Sequence, residues 1–265
     1  MSDLKECKRP VLGFECGLAS GITQSFMFNS YDRALFHSIA QSRPFLDARN
    51  WKGSPFAGVS PSFLQRAFSS GLYFPLEDAF RNNVSDSYAV DGVLVGLVGG
   101  AFTTPFNSVK YAMWSSTSGT QNSPQEGPGL VKTATRLYNQ GGVARLMRGV
   151  VPTLYRDMTV GVTFSVLRHQ GDNGFVNNAI AAFVATTLSS PFNFARMKVY
   201  SPDVVGSPKA TFEILRDVSM DTRARESTLI GQITALVRRF NVGWGALRVG
   251  LGMGVGSQIY KTCCG

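Results

Sequence analysis

The chain has 265 residues, enough for one large domain or two small ones, and carries a formal net charge of +9. Only 16% of residues are charged, Gly reaches 28 and mean hydropathy is close to zero, which fits membrane helices with one polar side better than a soluble basic protein. The positive balance asks for an anionic partner, whether nucleic acid, acidic membrane or anionic solute.

In chain order, the first predicted helix runs from about Pro10 to His37, with Gly13, Gly17 and Gly21 on one stripe that lets neighbouring helices approach closely in lipid. A basic segment follows, carrying Arg33, Arg43, Arg49 and Lys52. The second helix begins near Gly58 and runs to about Arg81, with Pro61 in its first turn, where proline is tolerated. The third spans Tyr88 to about Trp114, and Pro105 is expected to kink or end it because proline removes a helical hydrogen bond. After a Gly/Ser/Thr/Pro-rich loop, Leu130 to Asn139 reads as a short amphipathic helix lying along a membrane surface, ended by Gly141-Gly142. The fourth span is about Arg148 to His169 and the fifth about Asn173 to Tyr200. A polar segment, Ser201 to Arg239, leads to the last span, about Gly243 to Tyr260. No uninterrupted apolar run of about 18 residues exists, so hydropathy alone is a weak guide.

Loop charge tests the membrane reading. The segments from Arg33 to Ala57, Lys110 to Val151 and Arg196 to Gly250 carry net charges of +3, +4 and +4. The alternate connections, Glu77 to Asp91 and Arg156 to Gly174, carry −3 and 0. Such segregation follows the positive-inside tendency, and a nucleic-acid binder has no reason to show it. No nucleic acid is expected as a partner.

The cysteines Cys7, Cys16, Cys263 and Cys264 lack Cys-x-x-Cys spacing, and the histidines His37 and His169 do not accompany them. A disulfide between the neighbours Cys263 and Cys264 would be strained, so these two read as free thiols, and no zinc site is supported. No paired-carboxylate, nucleophile–base or metal-ligand arrangement shares a face, so the chain reads as no enzyme, without cofactor or metal.

One signal recurs. Thr104-Pro105-Phe106-Asn107-Ser108-Val109-Lys110 returns as Ser190-Pro191-Phe192-Asn193-Phe194-Ala195-Arg196, with a worn copy at Phe26-Met27-Phe28-Asn29-Ser30-Tyr31-Asp32. Gly21, Gly99 and Ala185 share one register before it. The pattern resembles the Pro-x-Asp/Glu-x-x-Lys/Arg signature of the mitochondrial carrier family, and Arg148-Gly149-Val150-Val151-Pro152 with Leu154-Tyr155-Arg156 resembles the opening of that family's even-numbered helices. The resemblance implies an all-α membrane protein: a six-transmembrane-helix bundle of three two-helix repeats (about 10–81, 88–169 and 173–265) with pseudo-threefold symmetry. It also implies the mitochondrial inner membrane, with both termini on the intermembrane-space side. Met1 to Arg9 reads as neither a secretory signal nor a transit peptide, so the address is expected to be internal.

In that family, rings of ion pairs close the cavity at the matrix and cytosolic ends in turn. Here the matrix ring keeps only Asn29, Asn107 and Asn193 at the acid positions, with Lys110 and Arg196 as cations and Asp32 where the first cation belongs. Asp32 is expected to pair with Lys110 or Arg196. Of the cytosolic ring, Asp78 and Arg81 remain, while the second repeat offers His169 and Asp172. The resemblance places substrate contacts at Gln65, Arg66, Arg156, Asp157, Ser257 and Gln258, where two arginines suit an anion and Asp157 admits a zwitterion. Arg148 and Gly149 are implied as a lipid site for cardiolipin phosphate. The eroded rings lead to the expectation of a transport-inactive subunit of a large inner-membrane, respiratory-type complex, in contact with its other subunits and with membrane lipid. The alternative is an active, divergent carrier that exchanges a small anionic or zwitterionic metabolite by alternating access.

Overall fold

The computed structural model describes residues 10–84, 86–117, 129–170, 175–201 and 210–264. Nine α-helices form among the described residues: α1 (Pro10–Ala40), α2 (Val59–Asn83), α3 (Tyr88–Thr117), α4 (Leu130–Leu146), α5 (Val150–Gln170), α6 (Phe175–Tyr200), α7 (Thr211–Arg225), α8 (Leu229–Arg239) and α9 (Trp244–Cys264). Six of them are long. Each of α1, α2, α3, α5, α6 and α9 packs on the next in chain order, and α9 returns to α1, so the six close a ring. By length and apolarity only Tyr88–Ser115, among the described residues, qualifies as a membrane span.

Proline does not end the third and fifth spans. Pro105 lies inside α3 and Pro191 inside α6, and both helices continue through them. The hydroxyl one residue before each proline bonds back to its own i−4 carbonyl: Thr104 donates to the Gly100 carbonyl (2.7 Å) and Ser190 to the Thr186 carbonyl (2.9 Å). The amphipathic helix α4 extends to Leu146, but its regular backbone breaks at Gly141-Gly142, where the sequence places its end. The connection between α1 and α2 holds only a four-residue 3-10 helix, Ala48–Trp51.

Within the polar stretch, the segment from Thr211 to Arg239 is more helical than its composition suggests. It folds as α7 and α8, and Asp221 of α7 pairs with Arg239 after taking Arg225 at i+4 (2.9 Å). The cysteine reading is corrected outright. Cys16 on α1 and Cys263 on α9 form a disulfide, with Cα atoms 5.7 Å apart and a sequence separation of 247. Closure of the ring brings the first and last helices together, a proximity that spacing along the chain does not reveal.

The largest apolar cluster sits at the end of the bundle where the basic loops lie. Phe36 of α1, Tyr111 and Trp114 of α3, and Phe194 and Met197 of α6 are all buried there. Phe36 and Tyr111 centroids are 4.9 Å apart, Tyr111 and Tyr200 4.7 Å, and Phe36 and Trp114 5.8 Å, within the range in which rings attract. This aromatic layer forms a floor across the helix ring.

Candidate functional site

Above that floor, inside the ring, lies a cavity of about 230 Å³. Arg66, Lys110, Arg156, Arg196 and Arg248 line it, against Asp32 and Asp157 as the acids. Charges inside a helix bundle are costly to desolvate and are kept where they do something. Here they hold one another in place. Asp32 on α1 binds Arg66 on α2 and also Arg248 on α9, whose Nε lies 2.7 Å from Oδ1 and whose Nη2 donates to Oδ2 at 3.2 Å. Arg156 donates to its neighbour Asp157 at 2.5 Å. Lys110 donates to Gln65 of α2 and sits 5.1 and 5.3 Å from the Tyr111 and Trp114 ring centroids, so aromatic faces replace part of its lost hydration.

The residues read as a matrix ring do not form one. Asn29 turns to its own repeat, donating to the Pro55 and Ala57 carbonyls (2.8 and 3.1 Å) and accepting from Ser62 (3.1 Å). Asn107 is fully buried, and neither side-chain polar atom has a partner among the described residues. Asn193 accepts from Arg196 within α6 at 2.7 Å. The expected pairing of Asp32 with Lys110 or Arg196 is corrected: the ring of helices brings Arg66 and Arg248 to it instead. Arg33, the next cation along, is buried and bonds the carbonyls of Ser54, Lys52 (3.1 Å) and Gly53 (3.3 Å). It fastens the loop before α2 and leaves the gate position to others.

At the opposite end, where α1 begins and α9 ends, the side chain of Asp78 falls outside the described residues. Arg81 donates to the Tyr88 hydroxyl (2.6 Å) and stacks over its ring. The ion pair that does bridge two repeats there is one residue earlier on each helix. Glu77 of α2 binds Arg168 of α5 at 3.0 Å, accepts from Ser165 at 2.5 Å and lies 3.5 Å from His169. Sequence reasoning missed it because it counted fixed offsets from Pro61 and Pro152. A window one residue wider contains both charges.

Of the predicted substrate contacts, Gln65, Arg66, Arg156 and Asp157 line the cavity together. Gln258 is exposed and takes no part in its wall, and the side chain of Ser257 lies outside the described residues. Among the charged wall residues, Arg248 is the one that the sequence did not nominate. Gly149 has φ +82°, and a Cβ there would stand 2.8 Å from Tyr200, so its conformation and its close neighbour both require glycine.

A helix ring of this topology around a charged cavity, with Pro-x-Asn-x-x-Lys/Arg on two of its odd-numbered members, is joined by one direct comparison. A sequence profile described as mitochondrial carrier protein matches residues 83–172. Over that segment the chain is similar to the mitochondrial carrier family. The chain is also 25% identical to Mitochondrial magnesium exporter 1 of Drosophila melanogaster over 209 residues, covering 71% of this chain and 67% of the relative. Both likenesses point to the mitochondrion and to transport.

Proposed function

We propose that this protein is a divergent solute carrier that exchanges a small anionic or zwitterionic metabolite across the inner membrane by alternating access. The observation that carries the reading is the cavity wall, where five cations face two carboxylates. That imbalance leaves a net charge of about +3 for an anion to neutralise, and Asp157 beside Arg156 can receive the ammonium group of a zwitterion. In this reading the six long helices are the membrane-crossing members of three repeats, and the basic loops and aromatic floor face the matrix. Both termini then face the intermembrane space.

The expectation of a retired subunit in a respiratory-type complex rested on the missing ion-pair rings. The comparisons give it no support. An aromatic floor and a displaced Glu77–Arg168 pair supply barriers where the family's usual rings are absent. The cargo in the relative's name does not transfer, because an excess of cations repels a bare divalent metal ion. Mg²⁺ also favours near-octahedral oxygen ligation.

Purified carrier in liposomes tests the reading. Exchange of labelled dicarboxylates, phosphate or amino acids is expected, and Arg156→Ala is expected to reduce it at least about tenfold, the scale of one lost charged hydrogen bond. Flux of Mg²⁺ alone, or no flux together with salt-resistant co-migration in a much larger complex on native gels, would overturn the proposal.

A further inference from the structure

The charges of the central cavity are confined to one part of its wall. Helices α2, α5 and α9 run away from the basic end, and on each the charged wall residues come first: Arg66 on α2, Arg156 and Asp157 on α5, Arg248 on α9. Beyond these, no charged residue of the three helices lines the cavity among the described residues. The wall continues instead through Leu72 and Leu76 of α2, Val160 and Phe164 of α5, and Val249 and Met253 of α9. At about 1.5 Å per helical residue, Leu76 lies about 15 Å beyond Arg66, and Phe164 about 12 Å beyond Arg156. Helices α3 and α6 run the opposite way and show the reverse order, with Val95 ahead of Lys110 and Ala182 ahead of Arg196. The upper tier is a connected surface, since Val160, Val249 and Met253 pack against the buried Phe164 and Ala182. Apolar wall left against water is unfavourable in proportion to its area, and a pocket lined in this way uses its few placed charges to orient a ligand. A ligand that is all charge reaches only the lower tier.

We propose that the substrate is an amphiphilic organic anion, a carboxylate at one end of a hydrocarbon body, held with its charged end towards the aromatic floor. The inference rests on the reading of this cavity as a substrate site and narrows the substrate class. The carboxylate meets Arg66 and Arg156, whose guanidinium groups offer charged, forked hydrogen bonds. The body lies along Leu72, Val160, Phe164 and Met253 and displaces water from them. A second charge at the far end would be set among these side chains without a cation on the same wall, which disfavours a dicarboxylate of equal length. Leu76 is followed directly by Glu77, and Phe164 lies one turn before Arg168, so the far end of the body sits beneath the pair that ties α2 to α5.

The test uses the full-length protein in neutral detergent and follows its melting temperature while butyrate, hexanoate or octanoate is added. Suberate, with the length of octanoate and a second carboxylate, probes the far end, and inorganic phosphate probes the charged tier alone. Affinity is expected to rise about threefold per added methylene, near the gain for burying one, and suberate to bind at least about tenfold more weakly than octanoate. Leu72→Asn/Val160→Thr, close in volume to the parent, is expected to flatten the series, with octanoate losing at least about tenfold more affinity than butyrate. Arg156→Ala should weaken every member alike. Equal shifts across the series, suberate matching octanoate, or a series that stays steep in the double variant would overturn the inference and leave the anion reading standing. No shift with octanoate would also overturn it, and if phosphate gives none either, the anion reading falls with it. Should the double variant misfold, octanoate against suberate in the unaltered protein decides alone.

Discussion

Asp32 holds two guanidinium groups that would otherwise repel one another across the helix ring. Its carboxylate faces Arg66 and Arg248 at side-chain exposures of 17%, 13% and 7%. Removing one member of such a buried pair leaves uncompensated charge and costs about 3–5 kcal/mol. Asp32→Asn, nearly isosteric, is therefore expected to lower the thermal midpoint of the purified protein by several degrees. Adding Arg248→Gln should recover part of that loss because it removes one of the stranded charges. A single variant that melts like the parent, or a double variant worse than the single one, would show that the carboxylate does no electrostatic work. Asp32 was legible in the sequence as an acid standing where a cation belongs. Its partner was not, because Arg248 lies 216 residues away and only ring closure brings it near. Arg33 illustrates the converse. A cation next to a gate position invites a gate role, yet its reach is spent on three or four carbonyls of one loop.

Among the elements, the α3–α5 seam is the tightest contact. A Cβ on Gly161 would stand 2.1 Å from the Gly92 carbonyl oxygen, and one on Gly92 would stand 2.5 Å from the Gly161 oxygen. Gly99 on the same helix α3 has nothing within 4 Å. Gly161→Ala is therefore expected to destabilise by about 1–3 kcal/mol through overpacking. Gly99→Ala is expected to be neutral or to gain up to about 1 kcal/mol from helix propensity. Chemical denaturation or thermal melting of the two variants separates packing from propensity, and equal effects would refute the seam argument. The small-residue register that betrayed the repeats did not foretell this. Gly21 and Gly99 share one register before the recurring signal, but a Cβ on Gly21 would stand 2.7 Å from the Arg66 carbonyl oxygen while Gly99 faces the cavity. A shared register in the sequence does not fix a shared neighbour; the contact at each position depends on which helix the ring puts beside it. The unforeseen α8 was readable, since Leu229, Ile230, Ile233 and Val237 fall on one helical stripe and all remain exposed. Mixed charge along the segment hid that period.

For the molecule as a whole, the ring has two fasteners at the end where α1 begins and α9 ends. The Glu77–Arg168 pair ties α2 to α5 across α3, and the Cys16–Cys263 disulfide ties α1 to α9. The order of the helices around the ring followed from the repeats, but the way each end is closed did not. Aromatic packing and a covalent bond leave no trace in a search for charged motifs. The disulfide closes a loop of nearly the whole chain, and chain-entropy estimates put such a cross-link at about 5 kcal/mol. Helices that remain inserted in the bilayer after unfolding restrict the unlinked chain already, so the gain in a membrane falls below that figure. Treatment of folded carrier with dithiothreitol is expected to lower the melting temperature, and Cys16→Ser should do the same and abolish any further effect of the reductant. Because the bond joins the first and last members of the ring at one mouth, reduction should also quicken substrate exchange in liposomes if that mouth must open during transport. Lower stability with unchanged exchange would confine the disulfide to holding the bundle closed. Unchanged stability in both the reduced protein and Cys16→Ser would mean that packing alone maintains the α1–α9 seam.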